Sequence, residues 1–196
     1  MNNALDSARL DQALGLLSER LALAQAPIYE LVVCGGSSLI ARGFVFRVTR
    51  DVDVVARWEP SGLVSSRPLP TDLITAAGRV AADLGLAPNW LNSGPADLFE
   101  MGLPEGCVER LESRSYGSHL VVWFVGRFDQ IHFKLYAAAD QGPGRHVDDL
   151  IALRPTSDEL LAAALWAFSH DVSEGFRAIV RDMLTKLGHA SVAAQL

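Results

Sequence analysis

Cysteine is almost missing from this chain, with only Cys34 and Cys107 among 196 residues. Two cysteines so far apart make no disulfide framework, and neither has a neighbour at zinc-ligand spacing. Cys34 ends an apolar run and reads as a buried strand residue. The five histidines, His119, His132, His146, His170 and His189, show no metal-ligand spacing either. His170-Asp171 reads as a charge pair at a helix C-terminus, where the dipole favours a cation, rather than as a catalytic dyad. No order of Ser, His and Asp points to nucleophilic catalysis. No stretch approaches the ~20 apolar residues that span a bilayer, and the opening Met-Asn-Asn-Ala-Leu-Asp lacks the basic start of a secretory signal. No association with a membrane and a reducing cytoplasm are the expectation. Internal repeats and low-complexity tracts are absent.

Positive charge is also in short supply. Lys and Arg number 17 against 23 Asp and Glu, for a net charge of −6. That argues against broad, non-specific nucleic-acid binding and leaves room only for a local basic patch. Arg110, Arg114, Arg127, Lys134 and Arg145 are the candidates for one. A scattered, solvated surface is the competing reading for the first two.

Apolar residues, by contrast, make up 49% of the chain, enough for a full core. The length fits a single domain over 1–196, with a core at about 26–153 and a helical part at about 154–190. Leu10, Leu14, Leu17 and Leu21 form a helical stripe within 6–24. Ile28 to Cys34 reads as a strand, Ser37 to Arg42 as a short helix, and Asp51 to Trp58 as a second strand. Pro60 to Pro70 reads as a loop. A helix over Thr71 to Leu84, capped by Thr71, turns Leu73, Ala77, Val80 and Leu84 inward. Residues 86–107 are poorly periodic and read as an irregular flap near the site, with a short strand at Trp90-Leu91. Leu120 to Val125 is a strand, Asp129 to Ala138 a helix, and Arg145 to Leu153 a short helix.

Thr156-Ser-Asp-Glu159 has the form of a capping box. It opens a helix with Leu160, Ala164, Leu165 and Phe168 on one face. The last helix runs from Ser173 to Leu187, with Phe176, Val180, Met183 and Leu187 inward, and ends at Gly188. Ser191 to Leu196 reads as a frayed tail. The fold class is α/β (α+β): a mixed sheet flanked by helices, with a helical C-terminal extension.

The chemistry concentrates between residues 35 and 53. Asp51-Val-Asp53-Val-Val-Ala is a strand pattern rich in β-branched residues. Period 2 places Asp51, Asp53 and Val55 on one face and Val52, Val54 and Ala56 on the other. Two adjacent carboxylates at a strand end are costly to bury without a cation between them. Magnesium, or manganese, is the natural one, since it takes oxygen ligands and is completed by substrate phosphates. Upstream, Gly35 and Gly36 follow the apolar run Leu31 to Cys34 and allow a phosphate to approach the backbone closely. Ser37 and Ser38 open the short helix and can cap it. Taken alone, a Gly-Gly-Ser turn is usually only a turn and Asp-x-Asp only a solvated strand. Together and in this order they fit one chemistry.

These residues resemble the nucleotidyltransferase superfamily, and more closely its AbiEii/MenT-like branch from toxin–antitoxin and phage-defence systems. The first motif of that branch matches Gly35-Gly36-Ser37, and the second matches Arg47-Val-Thr49-Arg-Asp51-Val-Asp53. The third, a lysine on a helix, matches Ile131-His-Phe-Lys134-Leu-Tyr-Ala-Ala. The fourth matches Arg145-His-Val-Asp-Asp149-Leu150, with Asp148 a rival to Asp149. The resemblance spans about residues 28–153.

It implies transfer of a nucleoside monophosphate from an NTP, with Asp51 and Asp53 holding the metal and Gly35, Gly36, Ser37, Ser38 and Arg47 seating the nucleotide. Lys134 would stabilise negative charge, although a snorkelling lysine is the commoner reading of that position. Asp149 would orient or deprotonate the acceptor hydroxyl. Asp97, Glu100 and Asp129 are candidates for a third metal carboxylate. The implied acceptor is the 3′ end of a tRNA and the implied partner a cognate antitoxin. The alternatives are an antitoxin that adds AMP to a partner toxin, and a degenerate binding module.

Overall fold

The computed structural model describes residues 4–196. The chain forms two compact units, Met1–Gly126 and Arg127–Leu196. The sequence places the end of the core near residue 153; the units part at Gly126. Among the described residues the fold is mixed α/β, as expected, with helices and one six-stranded sheet. No helix among them is long and apolar enough to cross a membrane.

The first unit opens with α1 (Ser7–Leu23), whose N-cap Asp6 accepts a hydrogen bond from the Arg9 N–H. The strands and short helices that follow are β1 (Tyr29–Cys34), α2 (Gly35–Ala41), β2 (Val52–Glu59), β3 (Gly62–Ser65), α3 (Thr71–Leu84), β4 (Leu91–Asn92), α4 (Ala96–Met101), β5 (Glu112–Ser115) and β6 (Leu120–Phe124). The sheet order is β3-β2-β1-β6-β5. β1 is antiparallel to β2 and parallel to β6, while β4 lies parallel to the start of β2. Leu10, Leu14, Leu17 and Leu21 of α1 and Leu73, Ala77 and Val80 of α3 form one core with Leu31, Val33, Val52, Val54, Leu120 and Val122. Burying a leucine contributes about 1.5–3 kcal/mol, so this cluster is the main apolar contribution to holding α1 and α3 on the sheet.

Several local expectations need correction. Pro60 to Pro70 is not all loop, because β3 pairs with β2 through the two-residue turn Pro60-Ser61, with Glu59 opposite Gly62. The cap of α3 is Pro70 rather than Thr71, and no side chain caps it. The 86–107 segment is no flap. Trp90 is fully buried and donates its indole N–H to the Ala77 carbonyl, β4 pairs with β2, and α4 follows. The short strand there is Leu91–Asn92.

The face assignment of β2 also changes. Val32 pairs with Ala56, but its neighbour Val33 pairs with Val54, so Val55 is the extra residue of a β-bulge. A bulge shifts the alternation by one and re-aims the residues beyond it. Asp53, opposite Cys34, therefore shares its face with Ala56 and Trp58 rather than with Arg57.

The second unit consists of α5 (Arg127–Gln141), α6 (Arg145–Ala152), α7 (Ser157–His170), α8 (Glu174–Lys186) and α9 (Ala190–Ala193). The capping box forms as expected. The Thr156 hydroxyl accepts from the Glu159 N–H at 3.2 Å, and the Glu159 carboxylate accepts from the Thr156 N–H at 2.8 Å. α7 buries Leu160, Ala163, Ala164, Ala167 and Phe168, whereas Leu165 is exposed. Leu165 sits five residues from Leu160, too far round the helix to share its stripe. On α8 the third inward residue is Leu184, one turn after Val180, in place of Met183 and Leu187. The tail is not frayed, because α9 buries Val192 and Arg181 donates to the Leu196 carbonyl.

Candidate functional site

The first two motifs meet at the end of β1. α2 begins at Gly35, immediately after the strand, so neither serine is its cap; the N-cap is Cys34, without a side-chain bond. Gly35 has φ +68°, and a Cβ placed there would lie 2.7 Å from Asp53 Oδ2. A Cβ at Gly36 would lie 2.8 Å from Thr49 Oγ1 and 3.2 Å from an Arg47 guanidinium nitrogen. Both glycines are thus required by the close approach of the second motif, and Gly35 also by its left-handed backbone. The glycine turn is packed against Asp53, Thr49 and Arg47.

Each acid accepts a hydrogen bond from a neutral donor. The Thr49 hydroxyl donates to Asp51 Oδ1 at 3.0 Å, and Asn92 donates its side-chain amide N–H to Asp53 Oδ1 at 3.1 Å. Asn92 is itself turned by the Gly94 N–H, which donates to Asn92 Oδ1 at 2.7 Å. Thr49 is clasped to Leu5 by two backbone hydrogen bonds of 2.7 and 2.9 Å. Asp51 and Asp53 are half-buried, and Asp51 makes no ion pair among the described residues.

The serines point inward. Both are fully buried; Ser37 donates to the Cys34 carbonyl at 3.3 Å and Ser38 to the Val125 carbonyl at 3.2 Å. What this turn presents to an anion is therefore backbone, with Arg47 beside it. Arg47 donates one N–H to the Val48 carbonyl at 2.9 Å.

The other two motifs belong to the second unit. Lys134 on α5 and Asp149 on α6 form an ion pair of 2.8 Å, with side chains 6% and 2% exposed. The lysine does not snorkel to water. One turn before it on α5, Gln130 is fully buried, and neither end of its amide finds a hydrogen-bond partner among the described residues. Asp148, the rival to Asp149, is exposed.

Most remaining candidates are engaged elsewhere. Asp97 pairs with Arg67 at 2.7 Å, and Glu100 accepts from the Ser65 hydroxyl at 3.0 Å. Asp129 is fully buried on α5. No cluster of three or more His, Cys, Asp or Glu side chains among the described residues is arranged to hold a metal ion. Arg110 donates to the Glu105 carbonyl, and Arg114 pairs with Asp11 at 2.9 Å. Arg127 binds Glu159 at 2.5 and 3.1 Å and donates to the carbonyls of Leu153 and Arg154. Those hydrogen bonds, with one from the Thr156 N–H, hold the Glu159 carboxyl below its ordinary range. Of the five basic candidates, only Arg145 is exposed without such a tie.

His170 and Asp171 are not a pair. His170 packs edge-on against Trp166 and burial lowers its pKa, while Asp171 accepts from the Ser173 N–H at 2.8 Å.

Two polar residues of this geometry carry no periodic signal in the sequence. Asn92 lies 39 residues beyond Asp53 in an irregular stretch, and Gln130 looks like any exposed helix residue. Thr49 was visible as part of the second motif but without a role. The sequence matches no family model, no curated protein and no solved structure.

Proposed function

We propose that this chain is a metal-dependent nucleotidyltransferase that moves a nucleoside monophosphate from an NTP to an RNA acceptor, the 3′ end of a tRNA, as the toxin of a toxin–antitoxin pair. One observation carries the reading: Gly35 and Gly36 have no room for a side chain because Asp53, Thr49 and Arg47 occupy it. A backbone cradle is thereby held directly against Asp53, and through Thr49 beside Asp51. The donor set suits magnesium or manganese, which takes hard oxygen ligands and leaves positions for water and phosphate. Asp51 and Asp53 would hold that ion, which supplies charge neutralisation on the triphosphate. Thr49 and Asn92 each donate a neutral hydrogen bond to one of the two carboxylates.

The protein's own part is positioning. The Gly35-Gly36 backbone and Arg47 seat the phosphates, and an acceptor hydroxyl attacks the α-phosphorus. The bond to pyrophosphate breaks, and the hydroxyl proton leaves to a base. The resemblance assigns the base to Asp149 and charge stabilisation to Lys134. In the folded chain these two are closed on each other, so Asp149 acts as a base only if it releases Lys134.

The test is incubation with each labelled NTP, magnesium, and total RNA or lysate protein, beside Asp51→Ala and Asp53→Ala. Label in RNA that both variants abolish supports the proposal. Label in protein instead makes the chain a protein-modifying enzyme, the antitoxin alternative. Label in neither makes it a binding module, and equal labelling by the variants sinks the metal assignment.

A further inference from the structure

Phe46 is 100% exposed, with its whole ring in water. Its loop, residues 42–50, is nevertheless pinned at both ends. On one side the Phe44 N–H donates to the Leu39 carbonyl at 2.9 Å, the Arg42 guanidinium lies over the Phe44 ring while pairing with Glu112, and Val45 is buried. On the other side Thr49 is clasped to Leu5. Between the anchors the loop holds out Phe46 and, two residues on, Val48, which is 53% exposed. Neighbouring side chains diverge: Arg47 lies against Gly36 in the cradle, and Phe46 stands outward from the same stretch of chain.

Along this stretch of chain, up to the acid Asp51 that follows it, the charge is the reverse of the whole. From Leu31 to Arg50 there is no Asp or Glu, and Arg42, Arg47 and Arg50 are present, in a protein of net charge −6. Glu112 answers Arg42. Arg50 is exposed and makes no ion pair among the described residues. A flat aromatic face near an exposed cation, on a loop anchored at both ends, suits a flexible polyanion that carries flat rings, which is single-stranded nucleic acid. Bases stacked inside a duplex cannot reach such a face. A lone mononucleotide base would gain little burial on a ring that stands fully in solvent.

We propose that Phe46 is a stacking platform for a base of a single-stranded acceptor, with Arg50 contacting its phosphates. The inference rests on the nucleotidyltransferase reading and adds where the acceptor strand is held. Its test is fluorescence anisotropy of the full chain with labelled 12-nucleotide single strands, oligo-U and oligo-A RNA and oligo-dT DNA, and with a duplex of the same length.

Single strands should bind at least ~10-fold more tightly than the duplex, by the logic of unstacked bases. Phe46→Ala should weaken that binding by about 5- to 150-fold, the worth of one base–aromatic stack. Phe46→Trp should retain it, and Arg50→Ala should lower the dependence on salt by about one counterion. RNA bound better than DNA identifies an RNA acceptor, and equal binding supports single strands in general. The platform is overturned by an unchanged affinity in Phe46→Ala, by Phe46→Trp failing as alanine does, or by a wild type that prefers the duplex or binds no strand. Binding of a fluorescent NTP with magnesium, compared between wild type and Asp51→Ala, reports on the nucleotide site separately. A wild type that binds NTP but whose strand affinity ignores Phe46 loses only this inference. One that binds no NTP loses the enzyme reading.

Discussion

Asp51 and Asp53 in the first unit and Lys134 and Asp149 in the second are held in opposite ways. The acids of the first unit are half-buried, and each accepts a hydrogen bond from a neutral group, Asp51 from the Thr49 hydroxyl and Asp53 from the Asn92 amide. At Asp51, which makes no ion pair among the described residues, the neutral donor fixes the carboxylate while leaving its charge for a cation. Lys134 and Asp149 are almost wholly buried and closed on each other at 2.8 Å. Opposite charges in contact cancel, and in the interior each depends on the other to offset the loss of water. At Asp51 the arrangement keeps charge in readiness for a ligand, whereas the Lys134–Asp149 pair satisfies it internally.

The comparison breaks most decisively at Lys134. Lys134→Met removes the cation from a buried ion pair and should cost about 3–5 kcal/mol. The double variant Lys134→Met/Asp149→Leu should recover most of that, since apolar replacement of a buried pair is often neutral. Asp51→Asn should shift stability by only about 0.5 kcal/mol, with any gain coming from relieved repulsion between the acids. Guanidinium unfolding measures all three, and hydrogen exchange read by segment assigns the loss to residues 127–196. If Lys134→Met costs no more than Asp51→Asn, the two regions do not differ as described.

The cradle offers a smaller and sharper break. Gly35 and Gly43 have nearly the same backbone, φ +68° and +71°, but only Gly35 has an atom in the way; Gly43 has nothing within 4 Å. Both alanine variants carry the left-handed strain of roughly 1 kcal/mol. Gly35→Ala should cost about 1–3 kcal/mol in all and abolish NTP binding, because it displaces Asp53. Repeating it in an Asp53→Ala background should remove the excess over Gly43→Ala. If the excess persists there, the glycine is not required by the acid.

The parts of this fold legible in the sequence are those with long apolar periods. The leucine stripe of α1, the bounds of α3 and the valine runs of β1, β2 and β6 follow from them. β5 was not legible, because Glu112-Ser-Arg-Ser115 is exposed at every position and shows no alternation. Nor was the bulge at Val55, since valine on both faces of β2 hides a shift of one residue. In the candidate site, the glycines and acids were readable because each limits what can stand beside it. Asn92 was not, because its contact with Asp53 depends on β4 reaching β2 across the fold. The Lys134–Asp149 contact joins two helices, and periodicity on either one cannot announce it.

The smallest expected effect separates the units by pH. In the second, burial holds the His170 pKa down, and hydrogen bonds from Arg127 hold the Glu159 carboxyl down. A depressed folded pKa means that the unfolded chain takes up its proton first as pH falls. His170 therefore withdraws stability below about pH 6.5, and Glu159 follows below about pH 4.3, the unperturbed values for these groups. In the first unit, burial followed by a hydrogen bond to a carboxylate raises two phenols, Tyr29 on Asp72 and Tyr116 on Asp11. There the folded state holds its proton longer, so stability is complete below about pH 10 and declines as pH rises past it. Segment-resolved hydrogen exchange across this range should find residues 127–196 loosening first in acid and residues 4–126 first in alkali. Glu159→Gln should flatten the acid slope and Tyr29→Phe the alkaline one. Loosening of both units on the same side, unmoved by those variants, would show that these four groups do not set it. The contrast would then rest on the two charge sites alone.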